Sequence, residues 1–140
     1  MHNEKCIFCR IISGEIPSDM VYVDDLFVAF LDIHPTTKGH TLLVPRTHIG
    51  SFAELSGDVA AALGDRLRKI APRIAQAVSA SGFNLILNNS ADAGQVVPHV
   101  HWHIIPRYRT DGLRPWPSTT TSPDELREVA GLITTKLKDI

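Results

Sequence analysis

Residues 99–105 read HVHWHII, which sets His99, His101 and His103 two apart with Val100, Trp102 and Ile104 between or after them. Side chains of a β-strand alternate between its faces, so a strand here would carry three imidazoles on one face and Val, Trp and Ile on the other. Neighbouring imidazoles would then stand roughly 6.5–7 Å apart along the strand. Three charged rings in a row would repel one another, so some of them must be neutral at working pH. A neutral imidazole is a nucleophile, a base or a metal ligand. Asn88 and Asn89 close the preceding apolar run, and an antiparallel pairing would bring them near the imidazoles. Gly94, Gln95 and Val96 lead towards the triplet. A glycine there permits close backbone approach, and turn N–H groups hold anions. Amide donors, turn N–H groups and a neutral base suit a phosphate centre. The Gly-rich Lys loop of nucleoside-triphosphate enzymes is missing, so attack by imidazole on phosphorus is the favoured chemistry.

A second constellation starts at Cys6 and Cys9, the two cysteines of the chain. A Cys-x-x-Cys pair is half of a tetrahedral zinc site, and His48 and His99 could complete it. Reduced thiols without metal are the plain alternative. A redox pair is disfavoured because no βαβ pattern surrounds it.

The elements that must position these groups follow from periodicity. CIFCRIISGEIP predicts a short helix ending near Gly14 and Pro17. DMVYVDDLFVAFLDIHP splits at Asp24-Asp25 into a hairpin, and GHTLLVPRTHI is a further strand broken at Pro45. Apolar residues at helical spacing predict a long helix over Ser51–Ser81, with Pro72 kinking or ending it early and Gly82 as its stop. FNLILNN is a strand, and the histidine strand follows the SADAGQ loop. Ser122-Pro123-Asp124-Glu125 opens a last helix as a capping box and runs it to about Lys138. This order predicts an α+β class and one domain over 1–140, with a tail over 110–140 of loop plus helix.

Composition bounds the partners. The chain has 140 residues, 44% of them hydrophobic, and a formal net charge of −1. That supports one real core and supplies no basic field for nucleic acid. No run of about 18 apolar residues crosses a membrane. The start of the chain does not read as a signal peptide, so a cytoplasmic location is expected.

The residues resemble a known family. HVHWHII is similar to the His-φ-His-φ-His-φ-φ signature of the histidine triad (HIT) nucleotide-binding family. CIFCRIISGEIPS, FLDIHPTTKGHTLLVPRTHI and NLILNNSADAGQVVPHVHWHIIPR resemble it too, in the family's order. The resemblance implies a five-stranded antiparallel sheet with two main helices, and a homodimer. It implies hydrolysis or transfer of a nucleoside monophosphate, through a covalent nucleotidyl-histidine intermediate. The substrates would be adenosine conjugates such as dinucleoside polyphosphates or phosphoramidates. His101 matches the nucleophile, and His103 would contact the phosphate or bridging atom. His99 would orient the nucleophile. Asn88 matches a phosphate or ribose contact, Gly94, Gln95 and Val96 the phosphate loop, and Asp32 a contact to the ribose hydroxyls. The CIFC start is similar to a bacterial-type branch with structural zinc on two Cys and two His, here Cys6, Cys9, His48 and His99.

One departure matters. Val96 stands five residues before the nucleophile, where the phosphoramidate-cleaving branch has a serine that passes a proton to the leaving amine. This favours polyphosphate leaving groups. Two rival readings stay open: a non-catalytic nucleotide-binding or interaction protein, and a zinc module held by the triad itself. His34 and His40 read as structural histidines, and the arginines near the tail as a solvated face.

Overall fold

The computed structural model describes residues 2–140. Five strands form one antiparallel sheet: β1 (Met20–Val23), β2 (Phe27–Leu31), β3 (Thr41–Pro45), β4 (Gly82–Leu87) and β5 (Trp102–Arg107). Their spatial order is β1-β2-β3-β5-β4. Three helices accompany them: α1 (Ile7–Ile12), α2 (Gly57–Ala77) and α3 (Pro123–Lys136). The α+β class and the five-stranded antiparallel sheet expected from the sequence are both present. No helix is long and apolar enough to cross a membrane.

Strand alternation builds two cores. Phe27, Ala29, Leu43, Trp102 and Ile104 face α2 and meet Val59, Ile70 and Ala71. Val28, Phe30, Leu42 and Val44 face α1 and pack with Cys6, Phe8 and Cys9. The central strands are therefore buried on both sides, which explains their unbroken apolar runs. The sheet order puts β5 between β3 and β4, so its side chains have neighbours on either flank. His103 stands opposite Leu42 of β3 and Ile86 of β4.

The β1–β2 turn is fastened by one side chain. Asp24 accepts from the amides of Leu26 (2.8 Å) and Phe27 (2.7 Å) and from the Tyr22 hydroxyl (2.7 Å). The guanidinium of Arg66, on α2, completes the set. Burial by itself would raise this carboxyl's pKa, but Arg66, the hydroxyl and the two amides hold it well below the usual carboxylate range.

Four expectations are corrected. The long helix begins at Gly57, not Ser51, because Ser56 caps it by accepting from Val59 N–H. Ser51 instead caps a separate 3-10 turn over Phe52–Glu54, and Leu55 breaks the path with φ −57° and ψ 134°. Pro72 does not end the helix, which continues to Ala77. Pro72 is exposed, so the carbonyl it leaves unpaired faces solvent. The stop is at Val78 and Ser79 (φ +56°), while Gly82 opens β4. Finally, only His103 of the triad lies inside a strand. Val100 N–H bonds to the Ile49 carbonyl (2.7 Å) and His99 N–H to the Val97 carbonyl (2.8 Å), so the chain enters β5 from an irregular segment. The alternation of faces survives: Val100 joins the α2 core, and His99 and His101 turn to the α1 side.

Asp24→Ala should lower stability by about 2 kcal/mol in urea denaturation, because it strands two buried-turn amides and a guanidinium. The carboxyl is less basic folded than unfolded, so its contribution is complete above the unfolded value near 3.8 and fades as pH falls below it. The wild-type minus variant difference should therefore shrink between pH 5 and pH 2.

Candidate functional site

His99 is fully buried and tied at three points. Its Nε2 lies 2.9 Å from the Pro45 carbonyl, which only accepts, so the ring carries its proton on Nε2. The lone pair on Nδ1 then faces the Cys6 sulfur at 3.4 Å and the Cys9 sulfur at 3.7 Å. Its backbone carbonyl accepts from His101 Nδ1 at 2.7 Å.

That last bond sets the state of His101. With the proton on Nδ1, the free lone pair of His101 is on Nε2. The ring stands edge-on to Phe8, with centroids 5.0 Å apart, and beside His103 at 5.0 Å. Every fully buried side-chain nitrogen or oxygen among the described residues has a hydrogen-bond partner. His101 Nε2 has none, so it reaches solvent. Burial pushes its pKa below the ordinary 6.5, against the pull of the His99 carbonyl and of Asp32. The result is a neutral imidazole with its lone pair open.

His103 is set by a residue the sequence reading passed over as structural. His40 Nδ1 accepts from Thr36 N–H at 2.9 Å, so the His40 proton sits on Nε2 and points at His103 Nδ1, also at 2.9 Å. His103 must then carry its own proton on Nε2, outward. Burial, with the His101 and His40 rings adding, pushes the His103 pKa down to about 4. Asp32 Oδ2 lies 3.6 Å from His40 Nε2, and its Oδ1 accepts from His34 N–H. In the sequence His40 shows only as a polar residue directly before the apolar strand β3.

A cavity of about 300 Å³ opens beside His103 and His40, lined also by Asn88, Arg107 and Trp116. Asn88 thus joins the triad's surroundings. Asn89 does not, since its Oδ1 accepts from Phe52 N–H at 2.7 Å. Gly94 has φ +92°, and a Cβ on it would meet Asn88 Nδ2 at 3.5 Å. The side chain of Gln95 turns inward. It accepts from Ser90 N–H and donates to the Gly50 and Val97 carbonyls, so it braces the loop with no amide to spare. The N–H groups of Gly94 and Gln95 are likewise spent on Ala91 and Ser90. Val96 is 89% exposed.

Cys6, Cys9, His48 and His99 converge, with one ligand atom of each within 4.8 Å of the others. A tetrahedral zinc with Zn–S near 2.3 Å and Zn–N near 2.05 Å has S···N edges of about 3.5 Å. The observed edges are 3.4 Å (Cys6–His99), 3.7 Å (Cys9–His99) and 3.4 Å (Cys9–His48). Burial raises the Cys9 pKa, so a cation is what would hold it as thiolate. The donor set and spacing fit zinc. Of the triad, only His99 belongs to this cluster; Asp32, His40 and His103 form a separate group.

A family model for the HIT domain matches residues 13–110. The chain is 38% identical over 136 residues to the adenosine 5'-monophosphoramidase of Schizosaccharomyces pombe, covering 96% of this chain and 99% of that one. A crystal structure of a HIT family member from Bacillus subtilis superposes with a TM-score of 0.87 at 42% identity, covering 96% of this chain and 98% of the other. A zinc-bound histidine triad family protein from Mycobacterium smegmatis gives 0.73 at 32% identity, covering 94% and 97%. Sharing that domain, that sheet and that run of histidines, the chain belongs to the histidine triad (HIT) family.

Proposed function

We propose that the protein is a nucleotidyl hydrolase or transferase acting on the α-phosphate of adenosine conjugates, with His101 as nucleophile. The observation that carries this reading is the 2.7 Å bond from His101 Nδ1 to the His99 carbonyl, which leaves Nε2 as the attacking atom. Nε2 forms a bond to the α-phosphorus while the bond from phosphorus to the bridging atom breaks. The leaving group departs with that electron pair. Water then attacks the nucleotidyl-histidine, the phosphorus–nitrogen bond breaks, and its electron pair returns to His101. The products are AMP and a proton.

His103 presents Nε2–H and donates to the bridging atom or a phosphate oxygen. His40 is the positioning residue that fixes this tautomer. Asp32 contacts the ribose hydroxyls, and Asn88 with the Gly94–Val96 turn the phosphate, Gln95 acting by shaping that turn. Val96 supplies no proton and neutral His103 only a hydrogen bond, so a proton for the leaving group comes from water. Phosphate leaving groups need little such help at neutral pH, which favours dinucleoside polyphosphates over phosphoramidates. Zinc on Cys6, Cys9, His48 and His99 would be structural, crosslinking α1, the segment after β3 and the start of the triad. Two copies would join as a homodimer through β4, whose outer edge is unpaired and exposes Phe83 and Leu85.

His101→Ala should lower kcat by more than about 10³-fold while AMP binding persists. Acid-labile adenylate should be trapped on denatured wild-type protein fed a diadenosine polyphosphate or an adenosine phosphoramidate. A wild-type protein that binds AMP but turns over neither substrate is a binder, and the enzyme reading is wrong. His40→Phe should lower kcat by roughly 10- to 100-fold, most for amine leaving groups, with little change in KM. It should also move the acid limb of the pH–rate profile, which in the wild type falls below pH 6.5 as His101 takes a proton. Purified protein should hold about one zinc per chain by elemental analysis. Cys6→Ser and Cys9→Ser should lose the metal and lower Tm more than they lower kcat.

A further inference from the structure

The loop from β2 to β3 begins at Asp32 and ends at His40, and the Asp32 N–H donates to the His40 carbonyl at 3.0 Å. Between them the chain is exposed except at Thr37 and Gly39, which are half-buried. One bond of this loop matters beyond it. The Thr36 N–H donates to His40 Nδ1 at 2.9 Å, which leaves the His40 proton on Nε2, aimed at His103 Nδ1. Thr36 is exposed, and an exposed amide gains little from such a bond over one to water. Something else must hold the loop in place.

The tie is made to β5. The β3–β5 register runs Leu43 to Trp102, Leu42 to His103 and Thr41 to Ile104. Two steps further it would set Gly39 opposite Pro106. Gly39 has turned out of the ladder, with φ +88°, and a Cβ there would meet Val78 Cγ1 at 3.0 Å and Pro106 Cγ at 3.2 Å. Pro106 is fully buried, and a buried carbonyl must find a donor. With Gly39 turned away, the Thr37 hydroxyl supplies it, donating to the Pro106 carbonyl at 2.6 Å. The Thr37 carbonyl in turn accepts from His40 N–H at 3.1 Å. Thr37 is thus fixed to β5 by its side chain and to His40 by its backbone, one residue after the Thr36 amide. Tyr108 gives a looser tie: its hydroxyl donates to the Val78 carbonyl at 3.1 Å and reaches the Lys38 carbonyl only at 3.4 Å.

We propose that the Thr37 hydroxyl is the positioning group of the His40–His103 pair: bonded to the Pro106 carbonyl, it holds the Thr36 N–H on His40 Nδ1 and so fixes the protons of His40 and His103 on Nε2. This rests on the reading of His103 as the donor towards the leaving group. The strand that carries His103 then sets the tautomer of that ring from three residues further on, through a loop that leaves Pro106 and returns at His40. Thr37 itself touches no substrate and acts through the two rings.

The test compares Thr37→Val, which keeps the shape and drops the hydroxyl, with Thr37→Ser, which keeps the hydroxyl. Long-range proton–nitrogen NMR of histidine-labelled protein reads the tautomers directly. Wild type should show His40 and His103 each protonated on Nε2 with Nδ1 bare. The other tautomer at either ring would overturn the proposal even were Thr37→Val unable to fold. In Thr37→Val, confirmed folded by circular dichroism, Nδ1-protonated rings should appear, and Thr37→Ser should show the wild-type pattern. Asp24→Ala, destabilised at the β1–β2 turn, should keep that pattern too. With a diadenosine polyphosphate, kcat should fall about 5- to 20-fold in Thr37→Val, with KM within about twofold, and recover in Thr37→Ser. Added to His40→Phe, Thr37→Val should lower kcat by less than about twofold more, since both changes act through one ring. Unchanged tautomers in Thr37→Val, the same tautomer change in Asp24→Ala, no rescue by serine, or a larger added loss in the double variant would each overturn the proposal. A wild-type protein without turnover would instead refute the hydrolase reading, and the tautomers alone would then decide the part played by Thr37.

Discussion

The carbonyl of His99 and the imidazole of His101 make the bond on which the site depends. A buried carbonyl must find a donor, and an imidazole that donates from Nδ1 has its lone pair on Nε2 alone. One hydrogen bond thereby chooses both the tautomer and the direction of the only open lone pair in the triad. The carbonyl is immobile because its residue is held elsewhere. The His99 ring is pinned to the Pro45 carbonyl on one side and faced by two sulfurs on the other. Burial also pushes the His99 pKa down to about 4, so its Nδ1 keeps a lone pair through the neutral range.

His40 plays the corresponding part for His103, and the two arrangements point protons in opposite senses. The His99 carbonyl accepts a hydrogen bond from His101 and so leaves a lone pair on His101 Nε2; His40 donates one to His103 and so leaves an N–H on His103 Nε2. The lone pair and the donor then stand on adjacent positions of one face, with ring centroids 5.0 Å apart. Nothing about three identical side chains distinguishes them chemically. Their backbone and side-chain partners do, and those partners come from β3, from the loop before it and from the irregular lead into β5.

That division explains what the sequence disclosed and what it hid. The face-sharing of His99, His101 and His103 follows from period two, and it holds even though two of them precede the strand. The hairpin at Asp24-Asp25 and the capping box at Ser122 were legible because their side chains bond to backbone a few residues away. The start of α2 was not, since helical periodicity continues through Leu55 while the choice between Ser51 and Ser56 as cap is made by packing. His40 is a hydrogen-bonded histidine, as its sequence context suggests, but its partner was hidden for a related reason. One of its bonds goes to a residue 63 positions later, and its local context names only a polar residue before a strand. Gln95 is a like case: its place in a loop pattern says nothing of its side chain, whose bonds run inward to Ser90, Gly50 and Val97.

Neutral buried histidines have a thermodynamic consequence that bears on the metal cluster. His99 and His103 are both less basic folded than free, each down to about 4. Between the ordinary value of 6.5 and that point, the unfolded chain binds protons that the folded chain refuses. Folded stability therefore falls as pH drops through this window, and is whole above it. Burial, the first cause in each case, is also what keeps the open lone pair of His101 unprotonated at neutral pH. The neutral histidine face is thus made at the expense of acid stability, and cannot be made more neutral without deepening that loss. A cation on Cys6, Cys9, His48 and His99 binds the folded arrangement of ligands and not the dispersed one, so it adds stability where the histidine face subtracts it. It does so at His99, the residue whose carbonyl orients His101.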